Sequence, residues 1–473
     1  MVRTKKLARM ALVAGLVIGG LTAGSAAASA DTTCGGTGSV TTVPGTLSDG
    51  AKYLLECPSG TWNGTLLLYS HGYVAPGSPN PATDVGDPAT RAYLLANGFA
   101  LAGSSYATTG WAIQQALPDQ IATLDVFDAT YGTPTRTIAW GHSLGGIITA
   151  GLIQDYPNRF NAALPMCGVL SGGVATWNTA LDAEFAFKQL LAPGSPLQLV
   201  NINPASAGAN LALADTILGA AQATPQGRAR FALVSAFGDT PGWFNPALPE
   251  PAATDYTDQE QDQFLWAQNV TFPFVFALRA ELEARAGGNV SWNTGVNYFA
   301  DLAKSADLRE VIALYHQAGL SLTKDLLALN SAARINAKPS AVAYLAKYIA
   351  FNGDISVPVL TMHTTGDGLV VPENEQAYRS VVDRAGNGDL LRQIFVARAG
   401  HCTFTPAETV TALNVLLNRL DTGHWNVPSP GGLNAGAAAL GTLNVAPPAF
   451  TSFRPTQYLR PFDLPSEGRF LFG

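Results

Sequence analysis

Charge is scarce in this chain. Lysine, arginine, aspartate and glutamate together make up 13% of the 473 residues, against 47% apolar residues. Acids outnumber bases, and a formal net charge of −7 argues against nucleic acid or anionic lipid as a partner. Cysteine is rarer still. There are four, none in a C-x-x-C pair, and no H-E-x-x-H occurs, so no metal set is expected. No G-x-G-x-x-G follows a strand-like run and no Walker pattern is present, so no nucleotide cofactor is expected. After the N-terminus no stretch reaches membrane-span length without charges or breakers, so no stable membrane insertion is expected.

The N-terminus reads as a targeting segment. Arg3, Lys5, Lys6 and Arg9 form a basic region, an apolar run follows from Met10, and Ala28-Ser29-Ala30 is a small-residue cleavage site. Residues 1–30 are therefore expected to be a signal peptide cleaved near Ala30, and the protein to be secreted. Removing those four basic residues takes the formal charge from −7 to −11. About 440 residues remain, enough by length for two or three domains or one large domain with an insertion.

The chain is organised around Arg136–Gly151. Thr137-Ile138-Ala139-Trp140 is short, apolar and β-prone, and the run from Leu144 to about Tyr156 reads as a helix stopped by Pro157. Between them lies Gly141-His142-Ser143-Leu144-Gly145, a G-x-S-x-G. Glycines two residues either side leave room for a sharp strand-to-helix turn, and the helix N-terminus favours negative charge. This strand–turn–helix resembles the nucleophile elbow of the α/β-hydrolase family, and G-H-S-L-G-G is most similar to the esterases and lipases of that family. The resemblance implies an α/β-hydrolase core, a mostly parallel sheet with helices on both faces.

The rest of the chain fits that expectation. Strands are predicted near Ser39–Val43 and Lys52–Cys57, with turns at Pro44-Gly45 and Asp49-Gly50. Further strands are predicted at Thr65–Ser70, Phe99–Gly103, Thr137–Trp140, Ala162–Leu170, Val357–His363 and Leu391–Ala397. Helices lie between them, including one over Ala112–Tyr131 interrupted near Pro118. From Ser171 to about Asn352 the alternation stops and helical periodicity takes over, with a break near Pro273. The expected organisation is core at 31–172, an all-helical lid insertion at 173–352, core again at 353–425, and a strap with no clear period at 426–473.

A serine hydroxyl needs a base to take its proton and an acid to orient that base. The family order is Ser, then Asp or Glu, then His, and Ser143, Asp367 and His401 fit it, each just past the end of a predicted strand. The segment after Asp367, D-G-x-V-V-P, resembles the family's acid loop. Asp354 flanks the same strand at its wrong end, and Glu373 belongs to the next helix. Among six histidines, His316 and His363 read as structural, and His71 and His142 belong to other motifs. By the same resemblance, His71-Gly72-Tyr73 implies an oxyanion N–H from Tyr73, with Leu144 supplying the other. Four cysteines in an exported chain allow three pairings. Cys34–Cys57 is expected to pin the N-terminal strands and Cys167–Cys402 to join two loops beside the site, two free thiols being the alternative for the second pair. A cysteine beside the catalytic histidine resembles tannase-like feruloyl esterases, but there its partner precedes the serine, where this chain has His142. The expectation is a secreted serine hydrolase of small-molecule or polymeric carboxylic esters, apolar, aryl or polyester-like. The alternatives are a peptidase of the same fold, an acyltransferase, or a catalytically dead binding protein.

Overall fold

The computed structural model describes residues 33–462; the expected signal peptide and the last tail residues lie outside the described residues. Nine strands form one sheet: β1 (Thr41–Thr46), β2 (Lys52–Cys57), β3 (Thr65–Ser70), β4 (Ala100–Ser104), β5 (Arg136–His142), β6 (Ala162–Met166), β7 (Val359–Gly366), β8 (Leu391–Ala399) and β9 (Phe450–Thr451). Their order is β1-β2-β4-β3-β5-β6-β7-β8-β9. The six from β4 to β8 in that order are mutually parallel, and the edge pairs are antiparallel. This is the fold that the elbow implied.

Alternation along the strands divides the core in two, because successive side chains point to opposite faces. Leu66, Leu68 and Ala139 pack on one face with Ile147 and Ile148 of the helix Leu144–Asp155. Leu67, Ile138, Trp140 and Leu164 pack on the other with Val410, Leu413 and Leu416 of the helix Pro406–Thr422. A third apolar cluster, with Phe185, Phe187, Phe231, Phe272 and Phe276, belongs to the helices between Gly173 and Lys347, which are inserted between β6 and β7. Each fully buried phenylalanine there contributes roughly 1.5–3 kcal/mol.

Five local expectations are corrected. Pro44-Gly45 is not a turn; both residues lie within β1. An edge strand tolerates proline, and a Cβ on Gly45 would sit 2.1 Å from the Tyr53 ring across the ladder. The helix Ile113–Tyr131 runs unbroken through Pro118, because buried Ile113, Leu117, Leu124 and Phe127 anchor it on both sides of the one missing hydrogen bond. The strand after the elbow helix stops at Met166, not Leu170, since Cys167 turns with φ 42°. The tail holds a helix, Pro430–Ala438, capped by Ser429, and β9, which closes the β8 edge. The expected break near Pro273 is absent as well: the chain stays helical from Tyr256 to Ala286, with π-helical segments at Ala267–Thr271 and Phe274–Leu278 either side of the proline. Among the described residues no helix is long and apolar enough to cross a membrane.

Insertion, core and tail meet at an acidic seam. Asp239 is buried, and among the described residues neither of its oxygens has a hydrogen-bond partner. Burial pushes its carboxyl well above the usual range, and the neighbouring Glu373, Asp307 and Asp301 add to the shift. Burial also pushes Glu373 up to about 7, and Thr456 of the tail donates to its carboxylate. Carboxyls raised in the fold bind protons that the unfolded chain has released by about pH 4. Stability from these carboxyls is therefore full below about pH 4 and falls as pH rises, Glu373 losing its share as pH passes about 7. Asp239→Asn, which removes the need for that proton, is expected to raise Tm relative to the parent more at pH 8 than at pH 5. Equal differences in thermal melts at the two pH values would count against this account.

Candidate active site

Ser143 follows β5 and caps the helix Leu144–Asp155 with φ 59° and ψ −123°, a strained conformation for a residue with a side chain. Close packing holds it there. A Cβ on Gly145 would lie 1.9 Å from the Ser70 carbonyl oxygen, and one on Gly141 would lie 2.5 Å from the same atom. A Cβ on Gly146 would meet the Gly168 Cα at 2.5 Å. Only glycine lets the elbow sit this close to β3 and to the loop after β6. The Ser143 N–H donates to the Met166 carbonyl at 3.0 Å, which fixes the turn against β6.

The segment after β3 lies against the serine, since a Cβ on Gly72 would sit 3.3 Å from the Ser143 Cβ and 3.8 Å from Oγ. His71 shapes this segment. Its ring stacks on Tyr106 at 4.0 Å, and Nδ1 lies 2.7 Å from the Gly72 carbonyl oxygen. Burial holds His71 below its ordinary pKa. A neutral ring has one N–H, which we assign to the shorter contact. In a trans peptide the N–H points opposite to the C=O, so fixing the Gly72 carbonyl turns the Tyr73 N–H away from His71. Among the described residues neither the Tyr73 nor the Leu144 N–H donates a hydrogen bond. Two uncommitted donors flank the serine, and the Leu144 donor opens a helix.

Asp367 follows β7 and His401 lies two residues past β8, at the same edge of the sheet. His401 Nδ1 is 2.7 Å from Asp367 Oδ2. Asp367 is fully buried, and its Oδ1 accepts from the Leu369 and Val370 N–H groups at 3.0 Å each. The loops are tied together by the Gly400 N–H to the Gly366 carbonyl and by the Thr364 hydroxyl to the Gly400 carbonyl. Among the described residues no hydrogen bond joins the Ser143 hydroxyl to His401; such contacts are often long in an empty site and tighten around substrate.

Both disulfides, Cys34–Cys57 and Cys167–Cys402, are formed. The second links the histidine loop to the serine turn. Ser143 hydrogen-bonds to Met166, Cys167 is the next residue, and Cys402 adjoins His401. Its Cys402 sulfur lies 3.4 Å from His401 Nε2. Cys167, His401 and Cys402 are the one His/Cys/Asp/Glu group among the described residues close enough to suggest a metal. The sulfurs are bonded to each other and offer no thiolate, so they do not fit one. His142 lies 3.1 Å from the Tyr69 hydroxyl, and burial, then the nearby His401, pushes it down to about 4. It therefore adds no charge beside His401 at neutral pH.

One neighbour was not legible in sequence. His363 is buried within β7 and contacts Glu375 at 3.0 Å and the Val370 carbonyl at 2.7 Å. Burial alone would lower its pKa, but Glu375 and the Asp367 charge outweigh it and raise it. Both ring nitrogens face acceptors, as a protonated ring requires. His363 thus braces the acid loop from below through Val370. A histidine in an apolar strand carries no signal of this, because its partner Glu375 sits on the following helix.

A cavity of about 170 Å³ opens at Ser143. Tyr73, Leu144 and Val370 line it from the core, Trp177, Phe187 and Phe231 from the insertion, and Tyr458 from the tail.

Residues 102–206 match the prolyl oligopeptidase family. The o-phthalyl amidase of Xanthobacter agilis is 30% identical over 84% of this chain and 91% of its own length. Among solved structures, an esterase from Aspergillus oryzae covers 81% of this chain and 80% of its own, at 13% identity and a TM-score of 0.39. The acylaminoacyl peptidase of Pyrococcus horikoshii covers 76% of this chain and 37% of its own, at 8% identity and a TM-score of 0.35.

Removing the Cys167–Cys402 bridge, by Cys402→Ser with Cys167→Ser, is expected to cost about 2–5 kcal/mol of stability. Turnover is expected to fall as well, because the histidine loop loses its tie to the serine turn. Melting curves and steady-state rates check this; a double variant with parental Tm and rate in oxidising buffer would show that the bridge holds nothing.

Proposed function

This chain belongs to the α/β-hydrolase superfamily of serine hydrolases, and we propose that it hydrolyses carboxylic esters of apolar or aromatic acids through an acyl-enzyme on Ser143. The observation that carries this reading is the strained serine between two uncommitted N–H groups at the mouth of an aromatic-lined cavity. His401 takes the Ser143 proton as Oγ attacks the carbonyl carbon, and the resulting oxyanion is held by the Tyr73 and Leu144 N–H groups. Asp367 keeps His401 in the tautomer whose Nε2 faces the serine and offsets the charge it gains. His401 then gives its proton to the leaving alcohol, and water, deprotonated by the same ring, releases the acid. No step calls for a metal or an organic cofactor. Residues 173–352 act as the lid that walls the acyl site, and residues 426–473 as a strap that adds Tyr458 to it. Two disulfides support an oxidising compartment, consistent with export by the N-terminal segment.

A second reading is favoured by one observation, the 30% identity to an amidase. The same groups cleave an amide if His401 protonates the leaving nitrogen. Purified protein assayed on matched p-nitrophenyl esters and anilides of one aromatic acid, with aminoacyl anilides alongside, separates the readings. Ester turnover that is lost in Ser143→Ala is the expected result. Faster turnover of the anilide would replace the ester reading with the amide one, and aminoacyl anilides as the best substrates would point to a peptidase. Asp367→Asn is expected to lower kcat on the order of 10⁴-fold with KM little changed, because the histidine then rests in the wrong tautomer. A drop of only a few-fold would mean that Asp367 does not orient the catalytic base.

A further inference from the structure

Asp367 is faced by two histidines, and the chemistry proposed above uses one. Its Oδ2 lies 2.7 Å from His401 Nδ1 and 3.7 Å from His363 Nε2. His363, Glu375 and Asp367 are all fully buried. His363 Nε2 is 2.7 Å from the Val370 carbonyl oxygen, and its Nδ1 is 3.0 Å from Glu375 Oε1. The other Glu375 oxygen accepts from the Thr361 hydroxyl and from the Gln393 amide, the latter at 2.6 Å. That is the part of a carboxylate, which only accepts. A carbonyl oxygen likewise only accepts, so both nitrogens of His363 must donate and the ring carries two protons. A buried charge is costly unless paired, and this one has a carboxylate on either side.

The cation is placed where it bears on the base. The Val370 N–H donates to Asp367 Oδ1 while the Val370 carbonyl takes a His363 proton, so one residue couples the ring to the acid. Oδ2 then meets both the charge of His363 and the N–H of His401. Negative charge on that oxygen stabilises His401 once it has taken a proton, and a cation beside the oxygen weakens this. Glu375 lies on the Nδ1 side of His363 and Asp367 on the Nε2 side, so the cation is the nearer charge to Asp367. The neighbouring groups do not undo the effect. The helix Glu373–Arg384 brings Glu375 to His363, and Glu373 on the same helix also feels its charge. The strands either side of β7 present Met166 and Phe395 beside this stretch, both uncharged. His142, which faces His401, is pushed down to about 4 by burial and is neutral. Burial would lower His363 as well, but Glu375 and Asp367 raise it, so the ring stays charged in mildly acidic solution.

We propose that His363 is a positioning residue: held as a cation by Glu375, it fixes the Val370 turn and weakens the hold of Asp367 on the proton of His401, so that His401 remains a free base in mildly acidic solution. This rests on reading His401 as the base for Ser143. The charge moves the lower pH limit of the reaction downward without touching substrate.

Two variants remove the charge by different routes. His363→Gln keeps a donor for the Val370 carbonyl. In Glu375→Gln the side-chain oxygen stays with Thr361 and Gln393, the amide nitrogen then faces His363 Nδ1, and the ring must give up its proton there. The measurement is the titration of the His401 ring by NMR in histidine-labelled protein, its line identified with His401→Gln, together with kcat/KM on a p-nitrophenyl ester against pH. Both variants are expected to move the His401 midpoint and the acid limb of kcat/KM up by about one pH unit, the lower end of what a close charge does. A midpoint equal to the parent's, in either variant with the parent's circular dichroism, would overturn the proposal. So would activity lowered alike at every pH with the limb unmoved, which is the mark of a structural brace alone. The titration needs no turnover, so a parent that cleaves no ester or anilide sinks the hydrolase reading while the midpoints still decide the part of His363.

Discussion

The structure depends on three backbones that touch at one point. The Ser70 carbonyl at the end of β3 sits where a side chain on Gly141 or Gly145 would be, and Gly168 sits against Gly146. This contact presses the helix Leu144–Asp155 against the sheet and leaves no space for any residue but glycine. It also costs strain, since Ser143 is forced to φ 59°. Ten buried residues on the elbow helix supply the packing that offsets it. The serine is thus held in place by its surroundings, so its hydroxyl can stay free of a local partner.

Around that point the molecule repeats one device, in which a loop at a strand's carboxyl end is tied to its neighbour. The Cys167–Cys402 bridge ties the turn after β6 to the loop after β8. The Gly400 N–H ties that loop to the end of β7, and the Val370 N–H ties the acid to its own loop. His71 does the same for the turn after β3, through one carbonyl. The groups involved are small and mostly buried, so little conformational entropy remains to be lost when substrate arrives. Opposite them, the insertion brings a core of its own and an aromatic wall. The core half of the cavity carries Ser143, and helices of the insertion line the other half.

What could be read from residues in order was whatever local chemistry dictates. Asp87 before Pro88 is a helix start that local rules can read, and the helix begins at Pro88 with the Asp87 side chain accepting from the Thr90 N–H. Thr65–Ser70 and Lys52–Cys57 came out to the residue, because a continuous apolar run and a run ended by turns have few other solutions. Pro118 and Pro44-Gly45 misled for one reason: each is a breaker by local rule, yet is held by distant partners, the packed helix in one case and Tyr53 in the other. Ser143, Asp367 and His401 could be named as candidates because their order and their places after strands follow from topology, and the fold brings His401 Nδ1 within 2.7 Å of Asp367. The pairing of buried His363 with Glu375 on the following helix was not legible in this way.

The sequence by itself determined the strands, the glycines at the elbow and the candidates for nucleophile, acid and base. Spacing, periodicity and steric allowance act over a few residues, so they can be read without a fold. Only the tertiary structure decided which loops share an edge, where Cys402 finds its partner 235 residues away, and which buried polar groups stay unpaired. Those outcomes depend on desolvation and on contacts between residues far apart in the chain, and neither is a property of any short stretch.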